Sequence, residues 1–468
     1  MQILVTIGNT GEMYVETTQK TFFKKFTQGY TFKMLLLAFL VLVLLSPLTM
    51  IQTLIYERSQ TAASAEEEVM SAWGNQLIAA GPILAVPGVR TIATVTKTER
   101  DGEKIELLKE HFTLCIAPKT LNIEANFTTE IRRRGIFSVP LFSGELSLNG
   151  SFDPAMALAA LAPNEELLPA QAELIIALSS QKGIRKIHSA RWNSQELFFQ
   201  PGKRGLNVTY GKSGIYAALP EFIAGETAFD ISIAIQGGRL VRFLPVGQYT
   251  HASISADWGS PSFQGFFLPG GSTITDNNFN ATWDISYLSR DIPLFWKSVD
   301  ENRNYDGSMF GVDFFRAIDT YSLNTRAVKY AVLFLTVPFL TLFLLEISSR
   351  KRIHPVSYLL SGVANIIFYL LLLSLSEQMY FYAAYFIAAG GVTAMVTLYA
   401  RSLLPSWSKS WYMGLVALLS YVLLYAVLNA ESYALLIGSI GAFMVVGLVM
   451  FLTRKLDWYS SEETENTA

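Results

Sequence analysis

Between Met34 and Ile55 the chain reads MLLLAFLVLVLLSPLTMIQTLI, with no charge. That is long enough to cross the hydrocarbon core of a bilayer, which takes about 20 apolar residues as a helix. Five more runs of this kind crowd into the last third, at about Val328 to Ile347, Val356 to Ser376, Met379 to Ala400, Trp411 to Ala430 and Tyr433 to Leu452. The long region between the first run and the second is polar and follows a different period. In FDISIAIQGG, Phe229, Ile231, Ile233 and Ile235 share one face, with Asp230, Ser232 and Gln236 opposite. HASISADW repeats the alternation through Ala252, Ile254, Ala256 and Trp258, ATWDISYL through Trp283, Ile285 and Tyr287, and GELSLNGSF through Leu146 and Leu148. Period two with one apolar face is the mark of a half-buried strand. Gly237-Gly238 between two such runs fits a two-residue hairpin turn.

The expected fold is therefore an α-helical membrane protein of six transmembrane helices, with a large, mostly antiparallel β domain between the first and second. The domain is a sandwich or a curved sheet, entered by a helical stretch near Thr61 to Ala80, and the proline-bounded segment from Pro154 to Ala170 separates two subdomains. The divisions are residues 1–33 as an N-terminal segment, 34–55 as a span, 56–326 as the β domain, 327–453 as a five-helix bundle and 454–468 as a tail. The composition agrees: 51% of residues are hydrophobic, only 16% are charged and the mean hydropathy is +0.32. A soluble domain carries roughly a quarter charged residues.

Lysine and arginine placement orients the spans. Lys20, Lys24, Lys25 and Lys33 precede the first; Arg350, Lys351 and Arg352 follow the second; Arg401 and Lys409 lie between the fourth and fifth; Arg454 and Lys455 follow the sixth. The alternate loops, at Glu377-Gln378 and Glu431-Ser432, hold no basic residue. Both termini are expected in the cytoplasm and the β domain outside. The first span lacks a small-x-small cleavage pattern and reads as an uncleaved anchor. Before it, KTFFKKF reads as a short helix at the anionic inner leaflet, with a disordered basic tail as the alternative, and the acidic SSEETENTA end reads as disordered.

Chemistry is sparse. A net charge of −2 argues against nucleic-acid binding, and a lone cysteine, Cys115, rules out an internal disulfide. Gly211-Lys212-Ser213 lacks the earlier glycine that a phosphate-binding loop needs, because position 206 is Leu206. His111, His188, His251 and His354 have no partner at a metal-ligand spacing, no serine-hydrolase elbow is present, and no cofactor is expected. Within the spans, polar side chains carry more information because burying them is costly. Glu346 stands four residues before Arg350, the spacing of an ion pair on one helix face, with a place in a proton or ligand path as the alternative. Asn365 lies near mid-depth of the third span and suits an interhelical hydrogen bond, while Glu377 sits at the outer end of that span. Ala434, Gly438 and Ala442 form a small-residue ladder of the kind that lets helices pack closely. RKRIHP, carrying His354 and Pro355, reads as a cytoplasmic turn whose proline opens the next helix.

That turn also carries a resemblance. RAVKYAVLFLTVPFLTLFLLEISSRKRIHPVSYLLSGVANIIFYLLLLSLSEQMYFYAAYFIAA, then NAESYALLIGS and FLTRKLDWY, resembles the CreD family of bacterial inner-membrane proteins. GPILAVP, RRRGIFSVPLFSG, SADWGSPSFQGFFLPGGSTI and WDISYLSRDIP extend it to nearly the whole chain, from about Lys33 to Ser460. MQILVTIGNTGEMYV has no counterpart in the family pattern, so the start is expected at Met13 or later, and Gly259-Ser260-Pro261 replaces a His-Pro pair. The resemblance implies a role in cell-envelope integrity, tied to a two-component regulatory system and to colicin tolerance, with no enzymatic activity, substrate or catalytic residue. The expected partners are the lipid bilayer and envelope components or other membrane proteins. The leading expectation is a β domain that binds or senses an envelope component; the alternative is a transporter or lipid-handling protein using the five-helix bundle.

Overall fold

The computed structural model describes residues 30–98, 102–202, 213–298, 305–314, 320–349, 351–430 and 433–454. The basic segment at Lys20 to Phe26, the SSEETENTA end, Gly211-Lys212 and Arg350 lie outside them. The chain divides into two compact units, one spanning Thr61–Ala317 and the other holding what precedes and follows it.

The helical unit begins with α1, Tyr30–Trp73, whose opening stretch carries the expected span and which continues without a break past residue 60. After the short helix α2, Ala155–Ala159, of the β domain comes α3, Thr320–Lys329, and the second expected span is then α4, Ala331–Ser349, apart from its first residues, which end α3. Then come α5, Pro355–Ser376, α6, Phe381–Leu403, α7, Trp407–Asn429, and α8, Ala434–Thr453. Among the described residues five helices are long and apolar enough to cross a membrane: α1, α4, α5, α6 and α7. In α8 the apolar stretch among described residues is the shorter Leu435–Leu448. Buried side chains of α1 and α3 to α7, among them Leu44, Phe339, Tyr358, Phe368, Tyr385 and Leu424, form one apolar core. Exposed apolar groups such as Phe39, Ile387 and Phe443 cover the outside, as lipid contact demands.

The β unit is a two-sheet sandwich. One sheet runs Ser262–Gly265, Phe310–Asp313, Leu240–Leu244, Leu77–Thr98, Glu173–Leu178, Ser213–Ala218, Gln200–Pro201. The other runs Gly271–Ile274, Phe279–Ser286, Tyr249–Ala256, Thr120–Arg134, Phe137–Phe152, Thr227–Gly238, Ile184–Trp192, Gln195–Glu196. Pairing is antiparallel except between Leu77–Ala80 and Val241–Leu244 and between Thr120–Phe127 and Tyr249–Ala256, so the sheets are mixed. The period-two alternation places most of its residues on the buried face, namely Phe229, Ile231, Ile233, Ile235, Ala252, Ile254, Ala256, Trp283, Ile285, Leu146 and Leu148, whereas Trp258 and Tyr287 lie past the strand ends and are half-buried. Inner faces meet in an aromatic seam, with Phe142 5.2 Å from Phe314, Phe263 6.0 Å from both Phe279 and Trp283, and Trp283 5.3 Å from Phe310.

Three expectations need correction. Gly237-Gly238 is not a hairpin turn: the strand ending there belongs to one sheet and the next, Leu240–Leu244, to the other. The crossing is made at Arg239, with φ of 62°, and the glycines are needed for space. A Cβ at Gly237 would lie 2.6 Å from the Phe142 ring, and one at Gly238 would lie 2.7 Å from Met70. The helix expected to Ala80 stops at Trp73, where Gly74 (φ 144°) and Asn75 (φ 61°) turn the chain, and Leu77 to Ala80 are already strand. The segment from Pro154 to Ala170 links one sheet to the other within a single core, so it does not divide the domain into subdomains.

One buried carboxylate ties this linker to the sandwich. Glu165 accepts from Lys297 Nζ on both oxygens at 2.7 Å, from Arg90 Nε at 2.9 Å and from the Ala162 N–H at 2.9 Å. Burial pushes its pKa upward, but these hydrogen bonds outweigh burial and hold the carboxyl at about 2, below the ordinary 4.5. A lowered pKa contributes stability that is full above the unfolded value and lost as pH falls toward the folded one. The difference in unfolding midpoint between wild type and Glu165→Gln should therefore be constant above about pH 5 and shrink steadily from there toward pH 2. A difference independent of pH would refute the ionic role.

Candidate functional site: carboxylate latches on the first helix

Each sequence-predicted polar residue of the helical unit has a defined place. Glu346, near the end of α4, is only 6% exposed. Its Oε1 pairs with Lys33 Nζ from the start of α1, and its Oε2 accepts the Tyr358 hydroxyl of α5 at 2.6 Å. Lys33 also donates to the Ile353 carbonyl at 3.0 Å and lies 5.5 Å from the Tyr358 ring centroid. The expected partner Arg350 lies outside the described residues; the observed partners come from two other helices. Glu377, just past the end of α5, receives Arg58 of α1 in a two-pronged pair, Nε to Oε1 at 2.8 Å and Nη2 to Oε2 at 2.9 Å. The Tyr321 hydroxyl of α3 adds a 2.9 Å bond to Oε1. Nearby, Asn324 donates to Ser376 Oγ at 2.9 Å.

The two sites share a plan: a carboxylate at a helix end, a basic residue from α1 and a tyrosine hydroxyl from a third helix. Opposite charge and a neutral donor together satisfy most of the carboxylate's acceptor positions, which makes partial burial tolerable. Between them Leu37, Leu44, Leu48, Ile51 and Ile55 form the buried stripe of α1. Leu44 fills a notch left by Gly362, where a Cβ would collide with Leu44 and with the Phe339 ring.

Asn365 is buried inside the bundle. It donates to the Ser361 carbonyl at 2.7 Å and accepts from the Tyr421 hydroxyl at 3.0 Å, while Tyr385 donates to the Tyr421 carbonyl at 2.6 Å. Phe368 packs against the rings of Tyr369, Tyr385 and Tyr421. This network joins α5, α6 and α7 as interhelical glue. His354 caps α5, its Nδ1 accepting from the Val356 N–H at 3.3 Å, and Pro355 opens that helix. In α8, Gly441 meets Leu423 of α7, where a Cβ would lie 2.9 Å away.

Sequence reasoning did not find Lys33, Arg58, Tyr321 or Tyr421 as site residues. The signal available was a charge at each flank of the first span with a glutamate at a later helix end to match it.

Among the described residues no group of three or more His, Cys, Asp or Glu could hold a metal ion. His251 pairs with Asp284 on the exposed strand surface, Nδ1 to Oδ1 at 2.7 Å, and Cys115 is buried, outside any disulfide, with its Sγ 3.9 Å from the Thr113 carbonyl. Ser213 opens a strand, donating to the Leu178 carbonyl at 2.7 Å.

The family model described as inner membrane protein CreD matches residues 29–459. The chain belongs to the CreD family. Inner membrane protein CreD of Escherichia coli (strain K12) is 28% identical over 422 residues, covering 90% of this chain and 92% of that one. The family match includes both latches, and it establishes an inner-membrane protein with helices able to span the bilayer. Among solved structures, an M1 zinc metallopeptidase from Deinococcus radiodurans is 13% identical with a TM-score of 0.21, covering 36% of this chain and 38% of that one. The form of the same enzyme bound to a Tyr-Ser-Ala substrate scores 0.21 over 36% and 39%. Scores of this size carry no argument about either fold or activity.

Proposed function

We propose that this protein is a non-enzymatic inner-membrane protein supporting cell-envelope integrity under stress, and that its β-rich domain lies in the periplasm, where it binds or senses an envelope component. The carrying observation is the β sandwich itself, a unit with its own continuous core inserted between membrane-spanning helices. Its surface retains large apolar side chains, among them Phe198 76%, Phe266 67%, Leu268 72% and Leu288 79% exposed. Lysine and arginine placement supports both termini in the cytoplasm. In the helical unit, Glu346, Asn365 and Glu377 are bonded to neighbouring helices, which favours packing over a transport path.

The test is complementation in a bacterial strain lacking the gene, reading detergent sensitivity and dye entry. A variant with residues 61–317 replaced by a short linker should reach the membrane at normal level yet leave the barrier unrepaired. Full repair by that variant would sink the proposal.

A further inference from the structure

α1 belongs to both units, and each grips it in its own way. Inside the β unit the end of the helix is clasped along several residues. Met70 packs with Val139 and Leu141, Trp73 Nε1 donates to the Phe142 carbonyl at 3.3 Å, and the Arg132 guanidinium lies 3.8 Å from the Trp73 ring centroid. Arg134 pairs with Glu68, and Gln236 donates to the Trp73 carbonyl at 2.6 Å. Inside the helical unit the same helix is attached lightly. Leu35, Phe39, Leu42 and Met50 are 60% to 70% exposed, and the polar fastenings of α1 to other helices include the latches at Lys33 and Arg58. These lie about 37 Å apart along the axis at 1.5 Å per residue, close to the thickness of a bilayer.

Such a helix suits transmission. Its last residues are held by the β sandwich, while its membrane portion rests on an apolar stripe and on contacts that include the Lys33 and Arg58 latches. We propose that α1 is a transmembrane signal element: displacement of the β domain slides or turns α1, and the Lys33 latch then releases the turn at Lys351 to Ile353. The discrete element is the set of contacts Lys33 makes with Glu346 and the Ile353 carbonyl. A shift of one residue along the helix, about 1.5 Å, stretches the 3.0 Å bond and misaligns the Lys33 ammonium with its two acceptors. Leu44 in the Gly362 notch sets the resting register, because a slide must lift it out between packed side chains. The basic residues Lys351 and Arg352 are exposed on that turn, so its release presents a changed charged surface. The proposal extends the sensing reading and uses its orientation, with this turn in the cytoplasm.

The test perturbs one latch and reads the other, with the full chain in inverted membrane vesicles. Trypsin cleavage at Lys351 and Arg352 is followed by fragment mass. Lys33→Met should raise the cleavage rate severalfold. Arg58→Gln, at the far latch, should raise it at least threefold, with Arg58→Lys intermediate and membrane levels unchanged. In a Cys115→Ser background, a disulfide between Leu44→Cys and Gly362→Cys should abolish the Arg58→Gln effect, and reduction should restore it. No response to Arg58→Gln beside a clear response to Lys33→Met would make the latches independent and overturn the proposal. A response that survives the disulfide would overturn it as well, because the signal would then bypass α1. Neither readout depends on barrier repair, so the sensing reading stands or falls separately.

Discussion

Full-length protein carrying Arg290→Met should lose roughly 3–5 kcal/mol of β-domain stability, a drop of about 10 °C in its unfolding midpoint for a domain of this size. Arg290 follows the short turn Tyr287–Ser289 and is 9% exposed. It donates to three backbone carbonyls: Val246 at 2.7 Å and Gly247 at 2.8 Å through Nη2, and Ile292 through Nη1. Val246, Gly247 and Ile292 lie outside the strands, so the guanidinium takes the place of a ladder there. Burial lowers its pKa to about 10, which still leaves it charged at neutral pH. Methionine fills similar volume but donates nothing, so three acceptors lose their partner at once. Arg290→Lys should recover some of the loss, since an ammonium reaches fewer of the three oxygens. Denaturation followed by tryptophan fluorescence in detergent checks this, with Trp283 and Trp296 buried in the same sandwich. A loss below about 1 kcal/mol would mean that water replaces the guanidinium without penalty.

Arg290 also marks where local pattern stops being informative. A strand that buries one face states it in period two, and Phe229 to Ile235 or Ala252 to Ala256 could be placed directly from their alternation. What alternation cannot state is which sheet a strand joins. Gly237-Gly238 carries the same local signal whether the chain doubles back or crosses to the facing sheet, and here long-range packing against Phe142 and Met70 decides. Leu77 to Ala80 fail for a related reason: LIAA suits a helix, but these residues pair with a parallel neighbour, and Ala79 and Ala80 with an antiparallel one as well, at the centre of a sheet. Fully buried strands and helices share one composition, so only the positive φ of Gly74 and Asn75 separates them.

For the latches, the acids were legible and their partners were not. Glu346 stands out because a carboxylate inside an apolar run is costly, and the nearest basic residue on its own helix face is Arg350. The partner observed, Lys33, is 313 positions away and served in the sequence only as a flank charge that orients the span. Glu377 and Arg58, 319 positions apart, repeat this at the other end of α1. Charge counting at span flanks predicts orientation because any basic residue contributes; it says nothing about which residue is bonded. Asn365 was legible as interhelical glue, because one amide in mid-span has few other uses, though Tyr421 as its partner was not.

Glu346→Ala should destabilise the helical unit by roughly 3–5 kcal/mol, the cost of breaking a buried ion pair by removing one member. The loss has two components that variants can separate. Lys33, whose side chain is 19% exposed, can swing its ammonium toward water and recover some solvation. Tyr358 cannot: it is 0% exposed, and its hydroxyl would face apolar neighbours with no acceptor. Glu346→Gln keeps a carbonyl oxygen for that hydroxyl and should cost only about 1–2 kcal/mol. Tyr358→Phe in the Glu346→Ala background should then be nearly neutral, although Tyr358→Phe alone costs about 1 kcal/mol. Lys33→Met with Glu346→Met should recover most of the loss, since apolar pairs of similar volume often match buried ion pairs. Unfolding midpoints of the full chain in nanodiscs give the cycle, with a coupling energy of about 1.5 kcal/mol or more expected between Lys33 and Glu346. Simple additivity would mean that lysine and glutamate are each solvated independently, and the latch would then contribute geometry without strength.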